Sequence, residues 1–253
     1  MKDVAALVLA AGKGTRMYSD LAKVLHPICG RPMLSYPLAA LEELRLGRVL
    51  VVVGHQAESI QKIFAEASVE WVLQSEQLGT GHAVLCALPH LADFAGSVLI
   101  CCGDTPLLTA ETLRMFLTAH VNSDNDLSVL SMLLEEPGSY GRIVRNSAGE
   151  VSGIVEAKDA TGQERDIREV NTGIYCAGAA LLQGVIPEIS NTNAQGEYYL
   201  TDLVQLAVER GWKVQAVAGS DPTEFMGVNT NEELAVAERV IAQRMGQPAA
   251  ERP

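Results

Sequence analysis

Short, continuously apolar runs alternate with helix-length amphipathic stretches through the first part of the chain. The predicted strands cover residues 4–10, 49–53, 69–73 and 98–102, and the predicted helices cover residues 33–46, 57–67 and 81–88. Strands without polar alternation are typical of a parallel sheet that helices cover on both faces, and parallel neighbours are joined by right-handed crossovers. The pattern therefore predicts an α/β protein with a Rossmann-like, doubly wound, mostly parallel sheet.

More closely spaced strands begin at about residue 127. They are predicted at residues 127–134, 142–144, 151–156 and 170–175, with glycine and asparagine turns between them. This spacing favours a smaller antiparallel or mixed flap that lies over the ligand-binding edge of the sheet. A helix at residues 199–210, a strand at 213–217 and a last helix at 232–245 complete the predicted elements.

Composition and charge exclude several classes of protein. The chain has 253 residues, of which 48% are hydrophobic and 20% are charged, enough for a substantial core. Its formal net charge of −12 argues against a nucleic-acid surface, and no segment has the ~18–20 apolar residues of a membrane helix. The five cysteines form no Cys-x-x-Cys pair, which is typical of reduced thiols. The short N-terminal apolar run does not resemble a signal peptide. We therefore expect a cytoplasmic protein that binds neither nucleic acid nor membrane.

The first predicted strand leads into a glycine-rich loop that carries Lys13, Arg16 and Lys23. Gly12 and Gly14 would allow positive φ and close approach of a ligand, so that consecutive N–H groups converge on phosphate oxygens. The spacing matches neither a Walker A loop nor the dinucleotide-binding fingerprint. A tight turn with solvated cations is the structural alternative, but three cations in an acidic chain favour a polyphosphate site.

Three further loops follow predicted strands, where an open parallel sheet binds its ligands. Gln74 offers a donor and an acceptor that match the edge of a uracil, although its loop could also be a polar turn with Thr80 as a helix cap. Asp104 is placed to ligate Mg²⁺, or to cap a turn. Asn229 could supply a second oxygen to the same ion, or serve as a helix N-cap.

Seven segments carry a family resemblance. Three of them resemble the sugar nucleotidyltransferases: residues 9–17, 21–26 and 77–83. The other four resemble, within that family, the uridylyltransferase domain of bacterial N-acetylglucosamine-1-phosphate uridylyltransferases: residues 140–143, 153–160, 169–174 and 195–202. The match runs over nearly the whole chain. The resemblance implies that UTP reacts with N-acetylglucosamine 1-phosphate, with Mg²⁺ as cofactor, to give pyrophosphate and UDP-N-acetylglucosamine, a cell-wall precursor.

The resemblance also implies roles for individual residues. The expected nucleotide site consists of Leu9, Ala11, Gly12, Gly14, Lys23, Gln74, Gly79 and Thr80, with Arg16 beside the triphosphate and Lys23 at the α-phosphate as the catalytic cations. The expected metal ligands are Asp104 and Asn229. The expected sugar site consists of Gly141, Glu156, Asn171, Tyr199 and Thr201. Read alone, Gly141 could be a turn, Glu156 a solvated strand residue and Asn171 a turn former.

Two departures from the family pattern bear on function. Cys102 stands where the family commonly has tyrosine, which leaves sugar selectivity open. Family members usually continue into a β-helix acetyltransferase that forms trimers, whereas here we expect a nucleotidyltransferase domain at residues 1–230, a C-terminal helix at 231–245, a flexible tail at 246–253 and no β-helix domain. A monomer or weak dimer is then expected.

Two other functions stay open at this point. A related nucleotidyltransferase could use another sugar phosphate or another nucleoside triphosphate. A sugar-nucleotide-binding regulatory protein without turnover would be of a different class, and the presence of Arg16, Lys23, Asp104 and Asn229 together argues against it.

Overall fold

The structure, a computed structural model, describes residues 1–246, so most of the predicted tail at 246–253 lies outside the described residues. Its strands are β1 (Val4–Leu9), β2 (Pro27–Ile28), β3 (Arg31–Pro32), β4 (Arg48–Val53), β5 (Glu70–Leu73), β6 (Ser97–Cys102), β7 (Leu127–Leu133), β8 (Arg142–Arg145), β9 (Val151–Val155), β10 (Glu169–Gly178) and β11 (Val214–Ala218). Its α-helices are α1 (Ser35–Leu44), α2 (Ala57–Ile63), α3 (Thr80–Ala87), α4 (Ala110–Asn122), α5 (Gly162–Arg165), α6 (Ala179–Val185), α7 (Asp202–Glu209) and α8 (Asn231–Arg244).

One large sheet organises the molecule, in the order β11-β7-β10-β6-β1-β4-β5. The half built from β6, β1, β4 and β5 is parallel throughout, β11 is parallel to β7, and β10 runs antiparallel between β7 and β6. The predicted doubly wound, mostly parallel α/β fold is therefore confirmed.

The antiparallel flap is smaller than predicted. Only β8 and β9 form it, and they join the main sheet through the pairing of Arg142 with Val170 on β10. The other two strands that were assigned to the flap, β7 and β10, lie in the main sheet. Six of the seven β7 residues are buried, and a strand buried on both faces belongs to a covered sheet rather than to a flap.

Helices cover both faces of the sheet, because alternate residues of each strand point to opposite sides. On β1, Ala5 and Leu7 pack in one core cluster with α3, α6 and α7, whereas Ala6 and Val8 pack in a second cluster with α1, α2 and α4. The carboxyl ends of the parallel strands are left facing one common edge.

The helix α4 has no counterpart among the predicted elements, although its sequence carries the signals. Leu113, Phe116, Leu117 and His120 are buried at helical spacing, and the Thr109 hydroxyl caps the helix by accepting from a backbone N–H. The predicted helix at 57–67 is shorter in the structure, since α2 ends at Ile63.

The last helix, α8, packs against the site-bearing loops rather than standing apart. Leu234, Ala237 and Ile241 share a buried cluster with Met17 of the glycine-rich loop and with Val228, the neighbour of Asn229. Burial of this apolar face stabilises two of the loops that carry predicted site residues.

Candidate active site

A cavity of about 470 Å³ opens at the carboxyl ends of β1, β5 and β6, the edge at which open parallel sheets bind ligands. Its lining includes every residue predicted for the nucleotide: Leu9, Ala11, Gly12, Gly14, Lys23, Gln74, Gly79 and Thr80. Asp104 lines it as well. The residues predicted for the nucleotide therefore lie together around one cavity.

The two loop glycines serve different purposes. Gly14 has φ +65°, and a β-carbon there would lie 2.6 Å from Lys23 Cβ, so both its conformation and its packing require glycine. Gly12 does not lie in the positive-φ region, and that part of the prediction is wrong. A β-carbon on Gly12 would meet nothing within 4 Å, so its lack of a side chain leaves the loop backbone open to the cavity.

The ammonium of Lys23 joins the two residues predicted to hold a metal ion. Its Nζ donates to Asp104 Oδ2 in a short ion pair and to Asn229 Oδ1 at 2.9 Å. Lys23 begins a 3-10 turn, Asp104 follows β6, and Asn229 lies just before α8. Three segments that are far apart in sequence therefore meet at one positive charge.

The capping roles considered for these two residues are wrong. Thr230 is the N-cap of α8, and its hydroxyl accepts a backbone N–H in a capping box, so the Asn229 side chain is left to bind Lys23. The Asp104 carboxylate also faces Lys23, and the turn after β6 is closed by Thr105, whose hydroxyl donates back to a β6 carbonyl at 2.8 Å.

Asp104 and Asn229 fit a divalent cation in chemistry and direction. One offers a carboxylate oxygen and the other an amide oxygen, and both oxygens already converge on one cation, the Lys23 ammonium. Within residues 1–246 no group of three or more His, Cys, Asp or Glu side chains is arranged to hold a metal ion. Two protein oxygens are typical of Mg²⁺, which takes its other ligands from water and substrate phosphates.

Gln74 follows β5 and presents a fixed amide to the cavity. It is 3% exposed, its Nε2 donates to the Gly79 carbonyl at 3.1 Å, and the same nitrogen lies 3.0 Å from His82 Nδ1. Both contacts use the two N–H groups of Nε2, so the amide is held in place and its carbonyl oxygen is left to accept from a ligand. The donor half of the predicted match to a uracil is therefore already occupied within the protein.

Backbone contacts tie the turn at residues 78–81 to the segment at residues 198–200. Three hydrogen bonds join them: Tyr198 N to Leu78 O at 2.8 Å, Gly81 N to Tyr198 O at 2.7 Å, and Leu200 N to Thr80 Oγ1 at 3.1 Å. Gly79 is the N-cap of α3 and the Thr80 hydroxyl binds Leu200, so Thr80 is not a helix cap.

The residues predicted to hold the sugar form a second group beside this cavity. Thr201 Oγ1 donates to Glu156 Oε1 at 3.1 Å, and a β-carbon on Gly141 would lie 3.6 Å from the same oxygen. The Asn171 N–H donates to the Gly141 carbonyl at 2.9 Å. The pKa of Tyr199 is raised to about 12, first by burial and then by the carboxylates of Asp159 and Glu156. This phenol therefore stays protonated at neutral pH.

Of the three structural roles considered for Gly141, Glu156 and Asn171, the structure supports only that of Asn171. Asn171 does shape the backbone: its Oδ1 accepts from Gly173 N at 2.9 Å across the irregularity in the pairing of β10 with β7. Gly141 lies outside a turn. Glu156 is not a solvated strand residue, because it follows β9 and burial raises its pKa.

Cys102 lies between the two groups. It lines the nucleotide-side cavity, and its Sγ is 4.0 Å from the carbonyl oxygen of Gly173, two residues after Asn171. Burial, followed by the charge of Asp104, raises the pKa of the Cys102 thiol, so the thiol is not a nucleophile at neutral pH.

Arg16 is the one predicted residue that stands apart. It is exposed on the short 3-10 turn Thr15–Met17 and is not part of the cavity lining. The other two cations of the loop, Lys13 and Lys23, both line the cavity.

Several residues at the site were absent from the predicted set. Gln77 and Glu197 line the cavity. Tyr140 lies near the Lys23 cluster: its pKa is raised by burial, then by the charges of Glu233 and Asp104, while a hydrogen bond with the Gly227 backbone opposes the shift. Gln77 and Tyr140 belong to segments that carry the family resemblance, so a signal existed for both.

Replacing Glu156 with glutamine is expected to raise the free energy of unfolding at pH 7 to 8. The folded state binds the Glu156 proton more tightly than the unfolded state, so wild-type stability falls as pH rises between the two pKa values. Glutamine removes this loss and can still accept from Thr201. The advantage should shrink as pH falls toward about 4.3, the usual carboxyl pKa.

Urea unfolding of both proteins from pH 4.5 to 8 checks this prediction. Glu43→Gln, on the exposed face of α1, is the matched control, because it makes the same chemical change at a position without burial. A Glu156→Gln difference that does not change with pH would contradict the assignment of a partly buried carboxyl whose pKa is raised.

Comparison with known proteins gives a consistent result. Residues 6–165 match the family model described as the MobA-like NTP transferase domain. Curated proteins named Bifunctional protein GlmU are similar to nearly the whole chain. The protein from Trichlorobacter lovleyi is 53% identical over 95% of this chain and 53% of its own length. The protein from Geobacter metallireducens is 52% identical over 98% of this chain and 52% of its own length. The protein from Geobacillus thermodenitrificans is 45% identical over 95% of this chain and 52% of its own length.

The chain spans about half the length of the curated relatives that it matches. The family model and these relatives confirm the resemblance that the sequence motifs indicate. Within residues 1–246, no helix has both the length and the apolar character that a membrane span requires.

Proposed function

Because the chain belongs to the family of MobA-like NTP transferase domains, we propose that it transfers a uridylyl group from UTP to N-acetylglucosamine 1-phosphate, releasing pyrophosphate and forming UDP-N-acetylglucosamine. The observation that carries the proposal is the convergence of Lys23, Asp104 and Asn229 beside the open backbone of Gly12. This is an arrangement that can hold and neutralise a triphosphate at the carboxyl edge of the sheet. The unit that does this would be residues 1–230, with α8 packed on its loops.

In this proposal the chain works by position and charge. A sugar phosphate is already an anionic nucleophile, so no Ser, Cys or His base is needed, and catalysis comes from alignment with the α-phosphorus and from charge stabilisation. Lys23 would balance charge at the α-phosphate, and the backbone of Gly12 and Gly14 would face the other phosphates. Gln74 would accept a hydrogen bond from the base with its carbonyl oxygen, since its Nε2 is bonded within the protein.

Asp104 and Asn229 would hold Mg²⁺, which when bound supplies charge neutralisation to the phosphates. On the sugar side, Thr201 and Glu156 offer a hydroxyl and a carboxyl that already form a hydrogen bond. Asn171 adds a side-chain amide, so that the group can match sugar hydroxyls and an N-acetyl group.

The test is direct. The purified chain is incubated with Mg²⁺, UTP and N-acetylglucosamine 1-phosphate, beside reactions with glucose 1-phosphate and with dTTP, and the nucleotide products are separated by chromatography. We expect UDP-N-acetylglucosamine to form selectively and to be lost on chelation. Selective formation of another sugar nucleotide would show that the proposed substrates are wrong. Tight binding without any product would refute the proposed uridylyl transfer.

Gly12→Ala is expected to leave stability unchanged and to raise the KM for UTP about tenfold, equivalent to about 1.4 kcal/mol of binding. A β-carbon at Gly12 meets nothing in the folded protein, so the cost arises only when a phosphate approaches the backbone. Gly162→Ala, also with open space around the added carbon, is the matched control away from the cavity. Steady-state kinetics and thermal unfolding of both variants provide the check; an unchanged KM in Gly12→Ala would remove the loop from the triphosphate site.

A further inference from the structure

The two oxygens assigned to the metal ion are already shared by a cation of the chain itself. Lys23 Nζ donates to both Asp104 Oδ2 and Asn229 Oδ1, and the side chains of Lys23 and Asp104 are only 12% and 20% exposed. A partly buried ion pair is screened less than an exposed one, and this pair is held by charge-assisted hydrogen bonds. The ammonium therefore binds at the point where both proposed metal ligands converge.

We propose that Lys23 is a tethered competitor for the metal site: its ammonium and a divalent cation exclude one another between Asp104 and Asn229, so metal binds tightly only when a nucleotide phosphate takes the ammonium. The inference rests on the proposed function for the identity of the phosphate ligand. The physical reason is that the two cations need the same oxygens and repel each other when close.

The geometry gives the displaced ammonium a second place to bind. Lys23 lines the same cavity as Gly12 to Thr15, and its stem packs against Gly14, where an added β-carbon would be 2.6 Å from Lys23 Cβ. A phosphate held by that loop is therefore within the region that the Lys23 side chain borders. Nucleotide and metal would then bind with positive cooperativity, and linkage requires each to raise the affinity of the other by the same factor.

The test measures Mn²⁺ binding to the full chain without nucleotide, by electron paramagnetic resonance of free Mn²⁺. Lys23→Met is expected to bind Mn²⁺ at least about tenfold more tightly than wild type, since it removes charge-assisted hydrogen bonds to both ligands. Lys23→Arg keeps the positive charge and should bind Mn²⁺ as weakly as wild type. The double variant Lys23→Met with Asp104→Asn should lose the gain, which locates the metal.

Lys13→Met is the matched control, because it removes one positive charge from the same cavity without freeing either ligand. Lys13→Met should change Mn²⁺ affinity by less than about twofold. If the gain in Lys23→Met came only from the loss of a nearby positive charge, Lys13→Met would show a similar gain. Adding UTP should increase Mn²⁺ affinity in both proteins, because the phosphates are themselves metal ligands. The increase in wild type should exceed the increase in Lys23→Met by about the factor that Lys23→Met gains without UTP.

Equal or weaker Mn²⁺ binding by Lys23→Met, in a variant whose unfolding shows that it is folded, would overturn the proposal. An equal gain in Lys13→Met would overturn it as well. The outcome is separable from that of the proposed function, because Mn²⁺ binding without nucleotide does not depend on uridylyl transfer. If wild type turns over but Lys23→Met does not bind Mn²⁺ more tightly, only the competition is refuted. If Lys23→Met binds Mn²⁺ more tightly but wild type does not turn over, only the proposed activity is refuted.

Discussion

Asp104→Asn is expected to lower turnover about a thousandfold or more, a loss of about 4 kcal/mol of transition-state stabilisation. The substitution keeps the size of the side chain but removes the negative charge that Lys23 and the proposed Mg²⁺ share. Among the residues placed at this cluster, Asp104 supplies the negative charge and Asn229 only a neutral amide oxygen. Loss of that charge should therefore weaken the metal site more than any other single change there.

Initial rates at several Mg²⁺ concentrations check the prediction, with urea unfolding to show that the variant is folded. The matched control is Asp93→Asn, which removes an acid from an exposed ion pair with Arg48 and should keep the wild-type rate. An Asp104→Asn variant that turns over at the wild-type rate would show that the metal assignment is wrong.

The position of the site could be predicted because parallel strands share one carboxyl edge. Asp104 and Asn229 are far apart in sequence, and both were predicted to follow strand ends. Asp104 does follow β6, but Asn229 lies between the 3-10 turn Pro222–Phe225 and α8, so its predicted place after a strand is wrong, although its side chain still meets Lys23 beside Asp104. Gln74 was found for the same reason, since it follows the apolar run of β5. Gln74 and Asp104 are placed by strands, and strands are read from apolar runs.

What the sequence could not show depends on long-range contacts. The pairing of β10 with β6 and β7 is antiparallel inside an otherwise mostly parallel sheet, and nothing in the local pattern of β10 separates this from a place in the flap. The direct contact of Lys23 with both metal ligands is equally invisible, because a lysine in a loop has the same local signature whether it is solvated or paired. Tyr140 reaches the cluster only through the folding of the flap.

One turn joins the proposed nucleotide and sugar sides of the site. The backbone at residues 78–81 carries Gly79 and Thr80 toward the cavity, and its hydrogen bonds hold residues 198–200, next to Thr201 and its partner Glu156. A change that pushes these backbones apart should therefore weaken binding of both substrates together.

Gly79→Ala is expected to destabilise the fold by about 3 kcal/mol or more and to abolish UTP binding in whatever fraction remains folded. Gly79 has φ +114° and ψ 175°, a region open essentially only to glycine. An added β-carbon would lie 2.6 Å from Tyr198 O and 2.8 Å from Tyr198 N, and these are backbone atoms that cannot rotate away. Strain and overlap therefore act at the same position.

Gly196→Ala separates these two causes. Gly196 also has positive φ, at +68°, but an added β-carbon there meets nothing within 4 Å, so only the conformational cost of about 1 kcal/mol applies. Urea unfolding should place Gly79→Ala at least about 2 kcal/mol below Gly196→Ala, and calorimetric titration with UTP should show binding by the second variant only. If the two variants unfold alike, the contact between the turn and Tyr198 does not limit stability; if both bind UTP alike, the turn does not position the nucleotide site.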